Sequence, residues 1–234
     1  MQPEISVIIP ALNEEKYIKY ALEGLAKQSF KNFETIVVDG GSRDRTVEVA
    51  KRSARVIVSR KEGAAAARNT GAKAARGSVL LFLDADTEPS PSLLRSYHTA
   101  FRDNSVVAST GPIYPIEQAR RAVRWGYKFV SVYFVKASIL LHRPSIVGSN
   151  FAARADAFRK AGGFNDKFIT YEDWDLSNRL KRYGKVRYMN SAKVYTSSRR
   201  IAAWGIKGFF GYYLVNIFLY HTTKKPSATY KRIR

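Results

Sequence analysis

Cysteine is missing altogether from the 234 residues. That excludes disulfides, thiolate metal sites and thiol nucleophiles. Histidine is nearly missing: only His98, His142 and His221 occur, no two at metal-ligand spacing, so a histidine-built metal centre is not expected. Acid is scarce on one side only. Residues 1–117 hold 16 Lys/Arg and 14 Asp/Glu, whereas residues 118–234 hold 24 and 5. Beyond Asp175 there is no acidic residue, against 14 basic ones. The opening Met1-Gln2-Pro3-Glu4-Ile5 lacks the basic stretch of a secretory leader, and with no cysteine a cytoplasmic location is expected. Internal repeats and low-complexity linkers are absent too.

What is present is a chain 45% hydrophobic, with apolar residues recurring throughout. That is enough for a full core and argues against disorder. The net charge of +21, concentrated in the second half, calls for a polyanionic partner: nucleic acid, an anionic membrane surface or a phosphorylated substrate.

The first half alternates strand and helix signals. Strands are expected over Ile5–Pro10, Phe33–Asp39, Arg55–Ser59 and Val79–Asp84, and helices over Glu14–Lys27, Asp44–Ser53 and Gly63–Arg76. Continuously apolar strands alternating with helices predict a mainly parallel sheet with helices on both faces. In the second half, helices are expected over Pro91–Asp103, Gln118–His142 and Glu172–Arg182. Val106–Ile113, Val186–Met189 and Val194–Ser197 read as strands, and Val147–Ala152 is short and apolar. Ile201–Tyr220 is apolar and aromatic, and a basic tail follows from Lys224 to Arg234.

Ligands of such sheets bind at the carboxyl ends of the strands, so the residues there carry the chemistry. Asp84-Ala85-Asp86 follows a buried strand directly. Paired hard oxygens select Mg²⁺ or Mn²⁺, and such a cation shares substrate phosphates. A solvated acidic turn is the plainer alternative. Asp39 precedes Gly40-Gly41-Ser42-Arg43-Asp44, where a strand-end carboxylate can accept from a base or ribose and the glycines admit a ligand. Asp44 fits a helix cap. Tyr171-Glu172-Asp173-Trp174-Asp175 concentrates acids in a region otherwise stripped of them. A helix start favours acids by its dipole, and a general base is the functional reading.

Together these segments resemble inverting glycosyltransferases of family 2, with the GT-A fold. The matches run in the family's order: Ser6-Val7-Ile8-Ile9-Pro10-Ala11-Leu12-Asn13-Glu14; Val37-Val38-Asp39-Gly40-Gly41-Ser42; Ala67-Arg68-Asn69-Thr70-Gly71; Phe82-Leu83-Asp84-Ala85-Asp86; Gly148-Ser149-Asn150-Phe151; Gly162-Gly163-Phe164; Glu172-Asp173. The resemblance implies a GT-A domain over residues 1–200, a mixed, mainly parallel sheet flanked by helices; residues 201–234, which it does not explain, read as a basic, amphipathic helical appendage. It implies a nucleoside-diphosphate-sugar donor, leaning toward UDP over GDP through Asp39. It implies that Pro10, Ala11, Asn13, Glu14, Asp39, Arg68 and Asp84 line the nucleotide pocket, with Asn69 structural. Asp86, with Asp84 in its shell, would ligate Mg²⁺ or Mn²⁺. Asp173 would deprotonate the acceptor. Gly148, Ser149 and Asn150, with Glu172 and Trp174, would sit by the donor sugar or acceptor.

The chain departs from the family in three places. Gly40 stands where many relatives have a second aspartate. The Gln-x-x-Arg-Trp motif of processive synthases is absent, so processive polymerisation is not expected. In place of a late metal-binding histidine the chain reads Tyr195-Thr196-Ser197-Ser198-Arg199-Arg200, and Arg199 or Arg200 is expected to grip the diphosphate instead.

Residues 118–142 and 201–220 lie outside the family core. Lys207, Asn216 and three glycines make 201–220 a poor membrane span, and its aromatic residues and flanking cations fit an interfacial helix better. Peripheral contact with an anionic membrane at its inner face is therefore expected, with a hydroxyl or polyprenyl-phosphate-linked acceptor. Packing on protein is the plainer alternative for both segments. No nucleic-acid partner is expected, although a basic nucleic-acid-binding or non-catalytic protein on the same scaffold is the competing reading.

Overall fold

The computed structural model describes residues 2–59, 61–116 and 119–205, together with 208, 211, 215, 222 and 223. The apolar runs of the first half all form strands: β1 (Ile5–Ala11), β2 (Phe33–Asp39), β3 (Arg55–Val58) and β4 (Val79–Leu83). The helices between them are α1 (Ile18–Ala26), α2 (Thr46–Lys51) and α3 (Ala64–Ala74). Every residue of β4 is buried, as a strand covered on both faces must be. There follow β5 (Thr87–Pro89), α4 (Leu93–Phe101), β6 (Val106–Thr110) and β7 (Ile113–Pro115). Next come α5 (Arg121–Lys128), a π-helical stretch (Phe129–Phe134) and α6 (Val135–Leu140), which run on without a break. The chain continues through β8 (Asn150–Arg154), α7 (Ala155–Lys160), α8 (Glu172–Leu180), β9 (Lys185–Tyr188) and β10 (Val194–Thr196). Residues 199–205 are helical.

The main sheet has the order β3-β2-β1-β4-β8-β6-β9. All neighbours are parallel except β8, which runs antiparallel to β4 and β6. The expected mixed, mainly parallel α/β sheet is what the chain forms. Its two faces carry two apolar clusters, one under α1 and α4, the other under α3, α7 and α8. The reversal of β8 matters for the site. Leu83 pairs with Asn150, so the start of β8 meets the end of β4, and Gly148-Ser149 arrive at the carboxyl edge beside Asp84. A smaller sheet, β5-β10-β7, sits beyond that edge.

Several boundaries differ from the sequence reading. The helix expected from Glu14 begins at Ile18, because the N–H groups of Glu14 and Glu15 bond to Thr46 Oγ1 (2.7 Å) and Asp44 Oδ2 (3.1 Å) across the loop after β2. The strand expected over Val106–Ile113 is two strands in different sheets, divided at Gly111-Pro112. Here the backbone of Ala192 comes so close that a side chain at Gly111 would collide with its carbonyl. Of the helix expected over 118–142, residues 121–140 are helical, and Gln118 lies outside the described residues. Most of 201–234 also lies outside them, so the expected appendage is not described beyond its first turns. No helix among the described residues is long and apolar enough to cross a membrane.

Candidate active site

Three groups of side chains meet along the carboxyl edge. The first surrounds Arg68, on α3. Its Nη2 donates to Asp84 Oδ1 and its Nη1 to Glu172 Oε1, each at 2.8 Å. Arg68 is 4% exposed, and its guanidinium lies 5.5 Å from the centre of the Phe164 ring. Burial works against its charge, but Asp84, Glu172 and Asp173 outweigh that and raise its pKa. Asp173 stands on the next residue of α8. Its Oδ2 accepts the Gly148 N–H at 2.7 Å and its Oδ1 the Trp174 N–H at 2.8 Å. Burial and the Glu172 charge push the Asp173 carboxyl up to about 7, against the pull of Arg68 and these two N–H groups. A carboxyl titrating near neutrality can act as a general base at neutral pH.

Two local features aim these acids. Tyr171 precedes α8 with φ 68°, a left-handed conformation that costs a bulky residue ~1–3 kcal/mol. It turns the chain so that the helix opens on Glu172 and Asp173. Gly148 leaves no slack: a Cβ there would lie 3.1 Å from Arg68 Nη2 and 3.3 Å from Asp173 Oδ2.

The second group surrounds Asp86, which is 5% exposed. Arg199 Nη2 lies 3.2 Å from Asp86 Oδ2 and donates to Glu14 Oε1 at 2.5 Å, while its Nη1 donates to Glu14 Oε2 at 2.9 Å. The same guanidinium sits 4.5 Å from the centre of the Tyr17 ring. Burial, then the Asp84 charge, pushes the Asp86 carboxyl up to about 6; Arg199 and Arg200 pull it down and Glu14 adds to the rise. Thr196 Oγ1 lies 3.4 Å from Asp86 Oδ1, and Ser197 N–H donates to the Asp86 carbonyl at 3.1 Å.

The third group joins the loops after β1 and β2. Asn13, with φ 56°, takes the Arg43 N–H on its Oδ1 and gives its own N–H to Ser42 Oγ, both at 2.8 Å. Gly40 N–H bonds to Ala11 O at 2.9 Å, next to half-buried Pro10. Asp39 is 1% exposed, and its carboxylate accepts Gly41 N–H (2.9 Å), Ser42 N–H (3.0 Å) and the Ser42 hydroxyl. In this structure Asp39 thus shapes its own turn. Asp44 takes the Thr46 N–H and hydroxyl.

Asn150 requires a correction. Expected beside the donor sugar or acceptor, it is fully buried, with Oδ1 accepting from Tyr97 OH (2.5 Å) and Nδ2 donating to Ala192 O (2.9 Å). Its amide is spent on the core. Ser149 is 8% exposed. Trp174 stacks on Phe134 of the π-helical stretch, ring centres 5.6 Å apart, and meets Tyr171 edge-on at 4.7 Å. Asn69 braces the loop at Phe164 through two hydrogen bonds to its backbone. Sequence reasoning missed Tyr17, and named Tyr171 only as the residue before the acids, without its turn. Tyr17 has no sequence signal, since it meets Arg199 only through the fold.

Among the described residues no three metal-ligating side chains converge. The chemistry fits a cation of another kind: one held by one or two carboxylates that takes its other ligands from substrate phosphates and water. Asp86 fits that role, a buried carboxylate with Asp84 and Glu14 as like charges and Arg199 as its counter-charge, as does Asp84, one oxygen of which is taken by Arg68.

Half-buried Asp84 and buried Asp86 at a strand end, with Arg68 and Arg199 bonded to them and the raised Asp173 carboxyl beside Arg68, bring acids and arginines together at one edge of the sheet. The sequence model of glycosyl transferase family 2 matches residues 6–162, and the chain belongs to that family. It is 29% identical over 196 residues to an uncharacterized glycosyltransferase of Haemophilus influenzae, covering 75% of this chain and 61% of that protein. It is 30% identical over 191 residues to a PGL/p-HBAD biosynthesis glycosyltransferase of Mycobacterium tuberculosis, covering 76% and 69%. Among solved structures, the mannosyltransferase PcManGT of Pyrobaculum calidifontis, in complex with GDP-Man and Mn²⁺, superposes with a TM-score of 0.70 at 19% identity, covering 98% of this chain and 66% of that one. Staphylococcus aureus TarS, in complex with UDP-GlcNAc, gives 0.66 at 23% identity, covering 84% and 59%. These likenesses establish the GT-A fold.

Proposed function

We propose that this chain transfers a sugar, with inversion, from a nucleoside-diphosphate sugar to a hydroxyl or lipid-phosphate acceptor at a membrane surface. The observation that carries the proposal is the pair of ties from Arg68, which bring Asp84 of the donor edge and the acid-bearing start of α8 to one guanidinium. In this reading Asp173 removes the acceptor hydroxyl proton. The freed oxygen attacks the anomeric carbon, and the bond to the diphosphate oxygen breaks on the opposite face. The electron pair leaves with the nucleoside diphosphate. Arg199 and Arg200 offset the charge on it, a role that guanidinium geometry suits. Pro10, Ala11, Asn13, Glu14 and Asp39 shape the nucleotide pocket; Gly148 and Ser149, with Glu172 and Trp174, border the sugar.

A divalent cation on Asp86 and Asp84, when bound, would neutralise the diphosphate as it departs. The neighbours' ligands, UDP-GlcNAc in TarS and GDP-Man with Mn²⁺ in PcManGT, support a nucleotide-sugar donor and use of Mg²⁺ or Mn²⁺. The test is proton NMR of the product formed from an α-linked donor. A β-linked product is expected, and an α-linked one refutes inversion.

A further inference from the structure

The helix Arg121–Leu140 has an outer face that the reaction above leaves unused. Trp125, Phe129, Tyr133, Leu140 and the following Leu141 are 56%, 59%, 48%, 80% and 72% exposed. Exposed cations accompany them: Arg120, Arg121, Arg124, Lys128, Lys136 and Arg143. No acidic residue occurs anywhere in 118–143. Lys128 Nζ lies 5.6 Å from the Trp125 ring centre and 5.9 Å from that of Tyr133, so cation and aromatics form one patch.

The π-helical stretch is what keeps this patch together. Trp125, Phe129, Tyr133, Ala137 and Leu141 recur at intervals of four. In an α-helix four residues overshoot one turn by about 40°, so five such positions would spiral around the axis. The wider π turn at Phe129–Phe134 undershoots instead and returns the row to one side. It equally holds Val123, Ser131, Val135 and Ser138 on the buried side. There Ser131 Oγ accepts the Ile113 N–H at 3.1 Å, and Tyr188 OH donates to the Ser131 carbonyl at 2.8 Å. The inner side is therefore pinned to the fold, while the outer side presents apolar rings and aliphatic tips beside a row of cations.

We propose that this face docks flat on an anionic lipid bilayer, with Trp125, Phe129, Tyr133 and Leu141 entering the headgroup boundary and the cations meeting lipid phosphates. The proposal rests on the membrane-surface reading above and supplies the element that makes the contact. Charge complementarity selects the occupant. A second copy of the chain would set the same acid-free patch against itself in a two-fold contact. Single-stranded nucleic acid would use the rings but has no use for Leu140 and Leu141, which offer no face for stacking. A mixed apolar and cationic face on a helix lying across a surface is the pattern of interfacial binding. A groove of about 650 Å³, lined among others by Arg120, Val123, Ile201 and Ala202, opens at the start of the same helix. The Phe134–Trp174 stack joins the helix to the residue after Asp173, which ties the docking element to the candidate site.

The test is co-sedimentation of the full chain with phosphatidylcholine vesicles with and without phosphatidylglycerol. It compares the wild type with the triple variant Trp125→Ser, Phe129→Ser, Tyr133→Ser and with Trp125→Phe. The wild type is expected to bind the anionic vesicles, the triple variant at least tenfold more weakly. Brominated lipid should quench tryptophan emission in the wild type and lose much of that effect in Trp125→Phe. Nucleotide-sugar binding, measured in parallel without vesicles, should be the same in all three. That reports folding and keeps failure of the donor reading distinct from failure of this one. Unchanged vesicle binding by the triple variant overturns the proposal. So does a wild-type dimer that the triple variant dissolves, or tight binding of single-stranded RNA through this face with none to vesicles.

Discussion

The guanidinium of Arg68 bonds at once to Asp84, at the end of β4, and to Glu172, 104 residues away at the start of α8, each at 2.8 Å. The bond to Glu172 is buried and that to Asp84 partly so. Breaking a buried ion pair by removing one partner costs about 3 kcal/mol or more, because the other charge is left stranded. Arg68→Met should therefore lower unfolding stability by about 3 kcal/mol in urea melts. Arg68→Lys should recover little of it, since an ammonium cannot span both carboxylates. Wild-type stability in Arg68→Met would show that the tie holds nothing.

In the proposed reaction Asp173 is the base, and it would set the pH dependence of transfer to a hydroxyl acceptor. Its pKa is raised to about 7, and only the ionised form can accept a proton, so kcat/KM should rise with pH through about 7 and level off above. Asp173→Asn should lower kcat by about 10²–10⁴-fold, flatten that limb and leave donor affinity largely intact. A phosphate acceptor arrives without a proton to remove, so its transfer should survive the same change far better. The pH profile and the acceptor panel together check the assignment.

Asp86→Asn separates metal binding from nucleotide binding. The loss of one charged ligand should weaken donor affinity in Mn²⁺ by about tenfold or more, at least the low end of the ~10–100-fold that changes behind a metal's ligands already cost. In EDTA it should change little. Equal donor affinities of variant and wild type in Mn²⁺ would remove Asp86 from the metal.

Gly148→Ala tests how tightly the site is set. The new methyl would stand 3.1 Å from Arg68 Nη2 and 3.3 Å from Asp173 Oδ2, and Arg68 is held by two acids and cannot yield. Displacing the base by a few tenths of an ångström should lower kcat by about tenfold with little change in melting temperature. Full activity would mean that Asp173 has room to move.

The fold of the first half was legible because β4 is wholly apolar, β1 nearly so and β2 apolar over Ile36–Val38, and each ends in turn residues, which leaves few alternatives. The second half was less so. The strand Asn150–Arg154 begins three residues later than the apolar stretch from Val147, and its reversal between β4 and β6 leaves no mark in residue order. The acids at Asp84, Asp86, Glu172 and Asp173 could be read from their positions. What joins them could not, because Arg68 and Arg199 choose partners 104 and 185 residues away. Asn150 misled for a related reason: its neighbours Gly148 and Ser149 lie at the edge, yet the strand turns its side chain into the core between Tyr97 and Ala192. The π turn was invisible too, since the sequence offers only apolar spacing that a plain helix would also tolerate.

The most direct test of the central claim is calorimetric titration of the chain with a panel of UDP- and GDP-sugars, in Mn²⁺ and in EDTA. The account predicts that one donor binds, in Mn²⁺ and not in EDTA, and that Asp86→Asn loses the difference. Failure of every nucleotide sugar to bind in Mn²⁺ would contradict it.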